Sequence, residues 1–287
     1  MSENLRLVKT NKHCIYAMIT IDQTSCVRCG ACVRECPGII LEQNADGVAQ
    51  VVSSRESCCI KCQHCVAICP AGAVSVDGVG ANDCLPKGEL PPQEQMLNLI
   101  RMRRSIRSWS DRPIESETIE QLKNVLNWTA TGCNDHSLRF AFVTSPAIFD
   151  ELRTKIYGFI NRPIINRILR WKFKKFSHYF DAMKNGTDVI FRNAPGMVIA
   201  LIPKSAPCAA FDPVIALSNF DLYAQTLGLG TCWCGFAEGI FKHRPKLVRG
   251  LELPKGYRVG AVMLFGYPSA PYLRSTAQKP FETQLID

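Results

Sequence analysis

Two runs of four cysteines constrain this chain more than any other feature of its sequence. The first run occupies positions 26, 29, 32 and 36, and the second occupies positions 59, 62, 65 and 69. Each run has the spacing C-x2-C-x2-C-x3-C and is followed at once by a proline, Pro37 or Pro70. A repeat of this length, from Cys26 to Cys59, indicates one supersecondary unit that is used twice.

Thiolates at this spacing hold [4Fe–4S] clusters, and the cysteine beside the proline ligates the other cluster of the pair. The sequence therefore predicts one ligand set of Cys26, Cys29, Cys32 and Cys69, and a second set of Cys59, Cys62, Cys65 and Cys36. A zinc ribbon would use two separated C-x2-C pairs. A disulfide framework would need a small secreted domain, so both alternatives fit less well.

The length of 287 residues favours two domains. Residues 1–80 contain the cysteine repeats, and residues 81–93 have the Gly, Pro and acidic composition of a linker. Residues 94–287 form a second domain in which helical and strand patterns interleave. This pattern favours an α+β or α/β fold over a helical bundle.

Composition restricts the compartment and the partners of the chain. Fifteen cysteines, eight of them assigned to iron, predict a reducing cytoplasmic setting, and cluster lability predicts an anaerobic organism. We find no cleavable leader and no apolar run near the ~20 residues that span a bilayer, so we expect no transmembrane segment. The net charge of +9 favours anionic partners. Without a nucleic-acid-binding motif, it does not predict nucleic acid.

Local patterns predict the main secondary structure elements. In the first domain we expect strands at 13–19, 47–52 and 73–76. In the second we expect a helix at 94–104, a helix to Trp128 capped by Ser116, a helix after Pro146, a helix at 213–227 ended by Gly228, strands at 140–144, 197–202 and 259–265, and a polar arm at 270–287.

Residues 167–176 are basic and aromatic at helical spacing. We predict a surface helix that packs Trp171, and Phe173 or Phe176, onto the body of the domain. A lid over an active site and a membrane-surface helix are the alternatives.

Three arginines surround one serine just after the predicted helix at 94–104, namely Arg103, Arg104 and Arg107 around Ser105. Guanidinium groups at this density suit a phosphate or carboxylate, although a solvated basic face is also possible. No Walker loop occurs and no G-x-G-x-x-G follows a strand, so a nicotinamide-binding Rossmann domain is not supported.

Four stretches resemble the nitroreductase family of FMN enzymes. These are RRSIRSW at 103–109, TGCNDHSLRF at 131–140, LGLGTCWCG at 227–235 and FGYP at 265–268. The resemblance covers residues 94–287 and implies a nitroreductase-like FMN-binding α+β domain. With the cysteine repeats, the whole chain is similar to ferredoxin–nitroreductase fusions.

The resemblance implies roles for the matching residues. Arg103, Arg104, Ser105 and Arg107 would hold the FMN phosphate, ribityl chain and pyrimidine edge, and Asn134 would contact the ring. The segment of Trp233, Cys234 and Gly235 would lie against the ring near N5, and Arg274 or Lys279 would reach the phosphate. The family also implies a homodimer with FMN at the subunit interface.

The chain departs from the family pattern in two places. The ring loop continues with His136, Ser137 and Leu138 where Gln-Pro-Trp is usual, and Gln278 stands where relatives often have a C-terminal arginine. His136 is a possible proton donor, or a structural hydrogen-bonding residue. Cys133, Cys232 and Cys234 are possible redox groups, or small buried apolar residues.

We therefore expect an FMN-dependent oxidoreductase that passes electrons through two [4Fe–4S] clusters to FMN and on to a small electron-poor acceptor. The acceptor would be a nitroaromatic, a quinone or an activated alkene, and the external donor a ferredoxin-like protein or NAD(P)H. One alternative is an electron-transfer subunit that docks on a larger redox complex. Another is a flavin-dependent dehydrogenase or dehalogenase on the same fold.

Overall fold

A computed structural model describes residues 18–251 and 253–286 of the chain. The chain divides into two compact units, Met1–Leu90 and Pro91–Asp287. The division lies inside the segment 81–93 that composition marks as a linker.

The first unit is built from a repeated arrangement of short strands and helices. Its elements are β1 (Ile19–Ile21), α1 (Ala31–Glu35), β2 (Leu41–Gln43), β3 (Ala49–Val51), α2 (His64–Ala67) and β4 (Val74–Val76). Antiparallel pairing joins β1 to β4 and β2 to β3. Buried apolar residues such as Ile40, Val66 and Val74 form a core between the two hairpin-like pairs. Of the strand predicted at 13–19, residues 13–17 lie outside the described residues, and β1 begins at Ile19.

The second unit combines a four-stranded antiparallel sheet with seven described α-helices. The helices are α3 (Gln93–Met102), α4 (Ser116–Leu126), α5 (Pro146–Ile160), α6 (Pro163–Lys172), α7 (Ser177–Lys184), α8 (Asp212–Thr226) and α9 (Gly235–His243). The strands are β5 (Arg139–Val143), β6 (Gly196–Pro203), β7 (Gly230–Trp233) and β8 (Tyr257–Gly266), in the order β5-β6-β8-β7. The predicted α+β class is confirmed.

The sheet is buried on both faces because helices cover each of them. Every residue of β6 is buried, and its side chains point alternately into two hydrophobic cores, one on each face of the sheet. Met197 and Ile199 pack with α5, α7 and α9, whereas Val198 and Ala200 pack with α4 and α8. This arrangement makes α8 a rigid element on one side of β7 and β8.

The ends of two helices show where local patterns succeed and fail. Gly228 (φ 75°) ends α8 as predicted, because the N–H groups of Gly228 and Leu229 bond back to Gln225 and Ala224 at 3.0 and 2.9 Å. The predicted Ser116 cap is wrong, since Ser116 is the first helical residue and Glu115 occupies the cap position. The Glu115 carboxylate accepts a hydrogen bond from the Tyr267 hydroxyl at 2.6 Å, which connects the start of α4 to a distant segment.

The prediction that Trp171 packs onto the body is also wrong. Trp171 is 83% exposed at the end of α6, and Ile164 and Ile168 on the same helix are also exposed. Instead, Phe180 and Met183 of α7 enter the core. No helix in the described part of the chain has the length and apolar character that crossing a membrane requires.

Candidate cluster and cofactor sites

The structure gathers the first predicted ligand set around one cavity. Its lining includes Cys26, Cys29, Cys32 and Cys69. Cys26 and Cys29 come from the loop that leads into α1, Cys32 lies in the first turn of α1, and Cys69 follows α2, so the fourth cysteine of the second run joins the first three of the first. The backbone N–H of Ala73 points at Cys69 Sγ, 3.3 Å away, as a donor to a cluster-bound thiolate would.

The second set gathers in the same crossed way. Burial, together with the nearby thiols of Cys62, Cys36 and Cys59, raises the pKa of Cys65 to about 11. Burial likewise raises the pKa of Cys59, with Cys62 and Cys36 again close by. Cys36 therefore faces the three cysteines of the other run. Among the described residues, no group of three His, Cys, Asp or Glu side chains is arranged to hold a single metal ion.

Left-handed residues at matching positions explain how each loop curls around its cavity. Arg28 (φ 61°) and Gly30 (φ 67°) in the first run correspond to Lys61 (φ 55°) and Gln63 (φ 59°) in the second. Non-glycine residues rarely adopt this region. All four residues are left-handed although three of them are not glycine, so the two runs share one backbone path. Both sets thus fit the clusters that the spacing predicts.

The predicted phosphate residues lie along one edge of the sheet in the second unit. The segment 103–107 leaves α3 and runs beside β7, where Ser105 pairs with Thr231 and the Ile106 N–H bonds to Thr231 O at 2.8 Å. Gly230 permits this approach, because a Cβ there would lie 2.2 Å from Ile106 Cγ1. Arg104 Nε is buried without a hydrogen-bond partner in the described structure, so it is a donor available for an anion.

A buried carboxylate on α8 fixes one end of this segment. Asp221 accepts hydrogen bonds from the Thr231 hydroxyl and the Trp233 side chain, and Arg103 Nη1 lies 3.5 Å from its Oδ2. Burial raises the pKa of Asp221, although these partners oppose that effect. These contacts connect residues 103–107, called the arginine segment below, to β7 and α8.

The end of β7 presents two buried thiols and an open glycine. Burial raises the pKa of Cys234 to about 12, and its thiol donates to Ile190 O at 3.2 Å. Burial also raises the pKa of Cys232. Both groups stay protonated near neutral pH, which favours the packing role over the redox role. A Cβ on Gly235 would meet no atom of this chain within 4 Å, which leaves room for a flat ring.

The loop that carries Asn134 and His136 is held at the other end of α8. The Gly132 N–H donates to Asp212 Oδ1 at 3.1 Å, and a Cβ on Gly132 would overlap Cys208 Sγ. Within the loop, His136 Nε2 lies 2.9 Å from Asn134 Oδ1. Asp212 and Asp221 are separated by nine residues, or about 13 Å along a helix. One chain therefore keeps the loop and the arginine segment apart.

Two further predicted residues lie in the C-terminal arm, where Arg274 and Lys279 are exposed. The arm starts where the Ser269 N–H bonds to Ser108 O at 3.1 Å, and residues 270–286 then form no helix or strand.

The turn at 188–195 was not predicted from the sequence. It brings Arg192 close enough to Cys232 for its positive charge to lower the pKa of that thiol, as Arg107 also does, against the larger effect of burial. The turn residues Asn193 and Pro195 before a buried strand were the only signal for it.

Comparison with known proteins gives two family matches. The nitroreductase family model matches residues 100–267, and a 4Fe-4S dicluster domain model matches residues 18–70. A search of curated proteins found no match to this chain.

Solved structures resemble the second unit. An FMN-bound nitroreductase from Bacteroides fragilis is 20% identical, with a TM-score of 0.56 over 67% of this chain and 99% of that one. An FMN-bound nitroreductase from Desulfitobacterium hafniense is 18% identical, with a TM-score of 0.52 over 67% and 98%. An FMN-dependent nitroreductase from Clostridium difficile is 20% identical, with a TM-score of 0.52 over 68% and 100%. At these identities the likeness establishes a shared fold.

Proposed function

Because this chain belongs to the nitroreductase family and carries a 4Fe-4S dicluster domain, we propose that it passes electrons through two [4Fe–4S] clusters to FMN and on to an electron-poor organic acceptor. The observation that carries this proposal is the crossed grouping of eight cysteines in a chain whose second unit has an oxidoreductase fold. Nitroaromatics, quinones and activated alkenes are the acceptor classes.

The residues of the second unit fit FMN. Arg103, Arg104, Ser105 and Arg107 would hold its phosphate, ribityl chain and pyrimidine edge, and the unpartnered Arg104 Nε is one donor for this purpose. Backbone groups from Trp233 to Gly235 would lie against the ring, beside the open space at Gly235. Asn134 would contact the ring, and Arg274 or Lys279 would reach the phosphate from the arm. When bound, FMN takes up single electrons and delivers two together.

A second copy of the chain completes the site in this proposal. Asp212 holds the Asn134 loop, Asp221 holds the arginine segment, and these two anchors lie about 13 Å apart along one α8. A loop from the partner subunit brings the two parts together, so the protein acts as a homodimer with FMN between subunits. A ferredoxin-like protein or NAD(P)H supplies the electrons.

An electron-transfer subunit is the second candidate, favoured by the exposed and basic end of α6. Trp171 is 83% exposed, and six cations but no acids occupy residues 162–176. Such a surface suits docking on an acidic redox partner.

The composition of the protein isolated without oxygen is the first test. We expect about eight irons and eight sulfides from two four-iron clusters, and one FMN per chain. In the second test, anaerobically reduced protein is mixed with a neutral quinone or nitroaromatic while flavin absorbance is followed. Rapid reoxidation supports the enzyme. Reoxidation no faster than in acceptor-free buffer, with the clusters intact, contradicts the enzyme and favours the electron-transfer subunit.

A further inference from the structure

The turn at 188–195 is held by a buried carboxylate that the proposed reaction does not use. The Asp188 side chain is 4% exposed. It accepts the backbone N–H groups of Phe191 and Asn193 at 2.9 Å each, Arg153 Nε at 2.8 Å and the Tyr157 hydroxyl. These bonds hold two consecutive residues, Arg192 and Asn193, in the left-handed region at φ 58° and 53°. Non-glycine residues stay in this region only where their surroundings determine it.

This turn forms one wall of a cavity of about 400 Å³, and residues 107–113 form the opposite wall. The volume is within the ~300–1,000 Å³ range of small-molecule sites. Three guanidinium groups line it, from Arg107, Arg112 and Arg192, against the single carboxylate of Asp111. The cavity therefore favours an anion.

Two of these arginines are uncompensated. Arg112 is paired with Glu115 at 2.7 Å and lies over the Tyr267 ring. Neither Arg107 nor Arg192 forms an ion pair with a carboxylate of the described residues. The cavity is also lined by Trp109, whose buried indole N–H has no partner in the described structure. In the proposed function Arg107 contacts the flavin, so Arg192 and the Trp109 indole N–H are the donors left for a ligand with anionic oxygens.

The cavity lies beside the proposed flavin site. Arg107 belongs to the arginine segment, and both Arg107 and Arg192 act electrostatically on Cys232 of β7. Three residues further along, Gly235 offers the space for the ring. We propose that this cavity binds the carboxylate of an anionic aromatic acceptor, and that Arg192 is the residue that selects for this charge. The proposal rests on the proposed function and names the substrate class of the same site.

The test compares two acceptors of similar size, 4-nitrobenzoate and neutral 4-nitrobenzyl alcohol. Photoreduced holoenzyme is mixed with each acceptor without oxygen, and the second-order rate constant of flavin reoxidation is measured. We expect Arg192→Gln to lower the constant for 4-nitrobenzoate about 10- to 100-fold, as for a lost charge-assisted contact. The rate constant for the neutral acceptor should change by less than about twofold. Arg192→Lys should recover part of the loss. Arg258→Gln, an equal charge change at an exposed position of β8, is the matched control and should leave both rate constants at their wild-type values.

The outcomes separate this proposal from its premise. Equal losses on both acceptors, or a fall in FMN per chain in Arg192→Gln, would overturn it and make Arg192 a structural or cofactor residue. If wild-type protein reduces neither acceptor, the proposed function fails, but the cavity is still tested by titrating oxidised holoenzyme with benzoate. A weaker benzoate affinity in Arg192→Gln than in Arg258→Gln supports the anion site, and equal affinities refute it.

Discussion

At the scale of the residue, the cysteines show how side-chain chemistry dictates the local backbone. Crossed ligation predicts that Cys26→Ser/Cys69→Ser removes ligands from one cluster only, so about four irons per chain remain. Cys26→Ser/Cys36→Ser should disturb both clusters and leave fewer irons. Iron and sulfide analysis of anaerobic preparations measures this difference, and Cys84→Ser is the control with full iron content. The reverse pattern, with more iron in Cys26→Ser/Cys36→Ser, would mean that each run holds its own cluster.

At the scale of the element, the turn at 188–195 depends on an ionised Asp188. Hydrogen bonds from Tyr157, Asn193 and Arg153 outweigh burial and hold the pKa of Asp188 below its ordinary value. A lowered pKa means that this stabilisation is present above the unfolded pKa of ~4 and is lost as pH falls through the folded pKa. Asp188→Asn should therefore destabilise the second unit by about 3–5 kcal/mol, equally at pH 7 and pH 5.5. Urea unfolding followed by tryptophan fluorescence reports this unit, since all four tryptophans lie within it.

The matched control for this element is Asp181→Asn, which breaks the exposed pair with Arg170 at the surface of α7. Solvent screens that pair, so its loss should have a much smaller effect. A destabilisation by Asp188→Asn that already disappears between pH 7 and pH 5.5 would show that the carboxylate is not held ionised by the turn.

At the scale of the whole molecule, the proposed site needs two chains. Arg104→Ala/Arg107→Ala removes the arginine segment, and Asn134→Ala/His136→Ala removes the loop side chains. Each variant alone should have little acceptor reductase activity. A co-expressed mixed dimer has one site with both parts intact, so its activity should recover to about half of wild type. Absence of recovery in purified mixed dimers would place the complete site within one chain.

The sequence was most informative where function depends on spacing along the chain. The eight ligands lie within two short runs, and the helix stop at Gly228 is a local backbone requirement. It was least informative where partners are distant. Helical periodicity placed Trp171 on an apolar face but could not show that the described part of the chain leaves it exposed. Glu115 and not Ser116 occupies the cap position of α4, and its carboxylate is bonded to Tyr267 from far along the chain.

The sequence by itself determined the two cysteine repeats, the α+β class of the second domain and the family to which it belongs. Those features rest on contacts between near neighbours and on motifs that tolerate few substitutions. Only the tertiary structure showed that α8 holds the loop and the arginine segment apart, and that Asp188 places Arg192 beside Arg107. The physical reason is that a buried carboxylate must be hydrogen-bonded, and its partners are residues that only the folded chain brings close to it. The local pattern of the sequence does not contain this proximity.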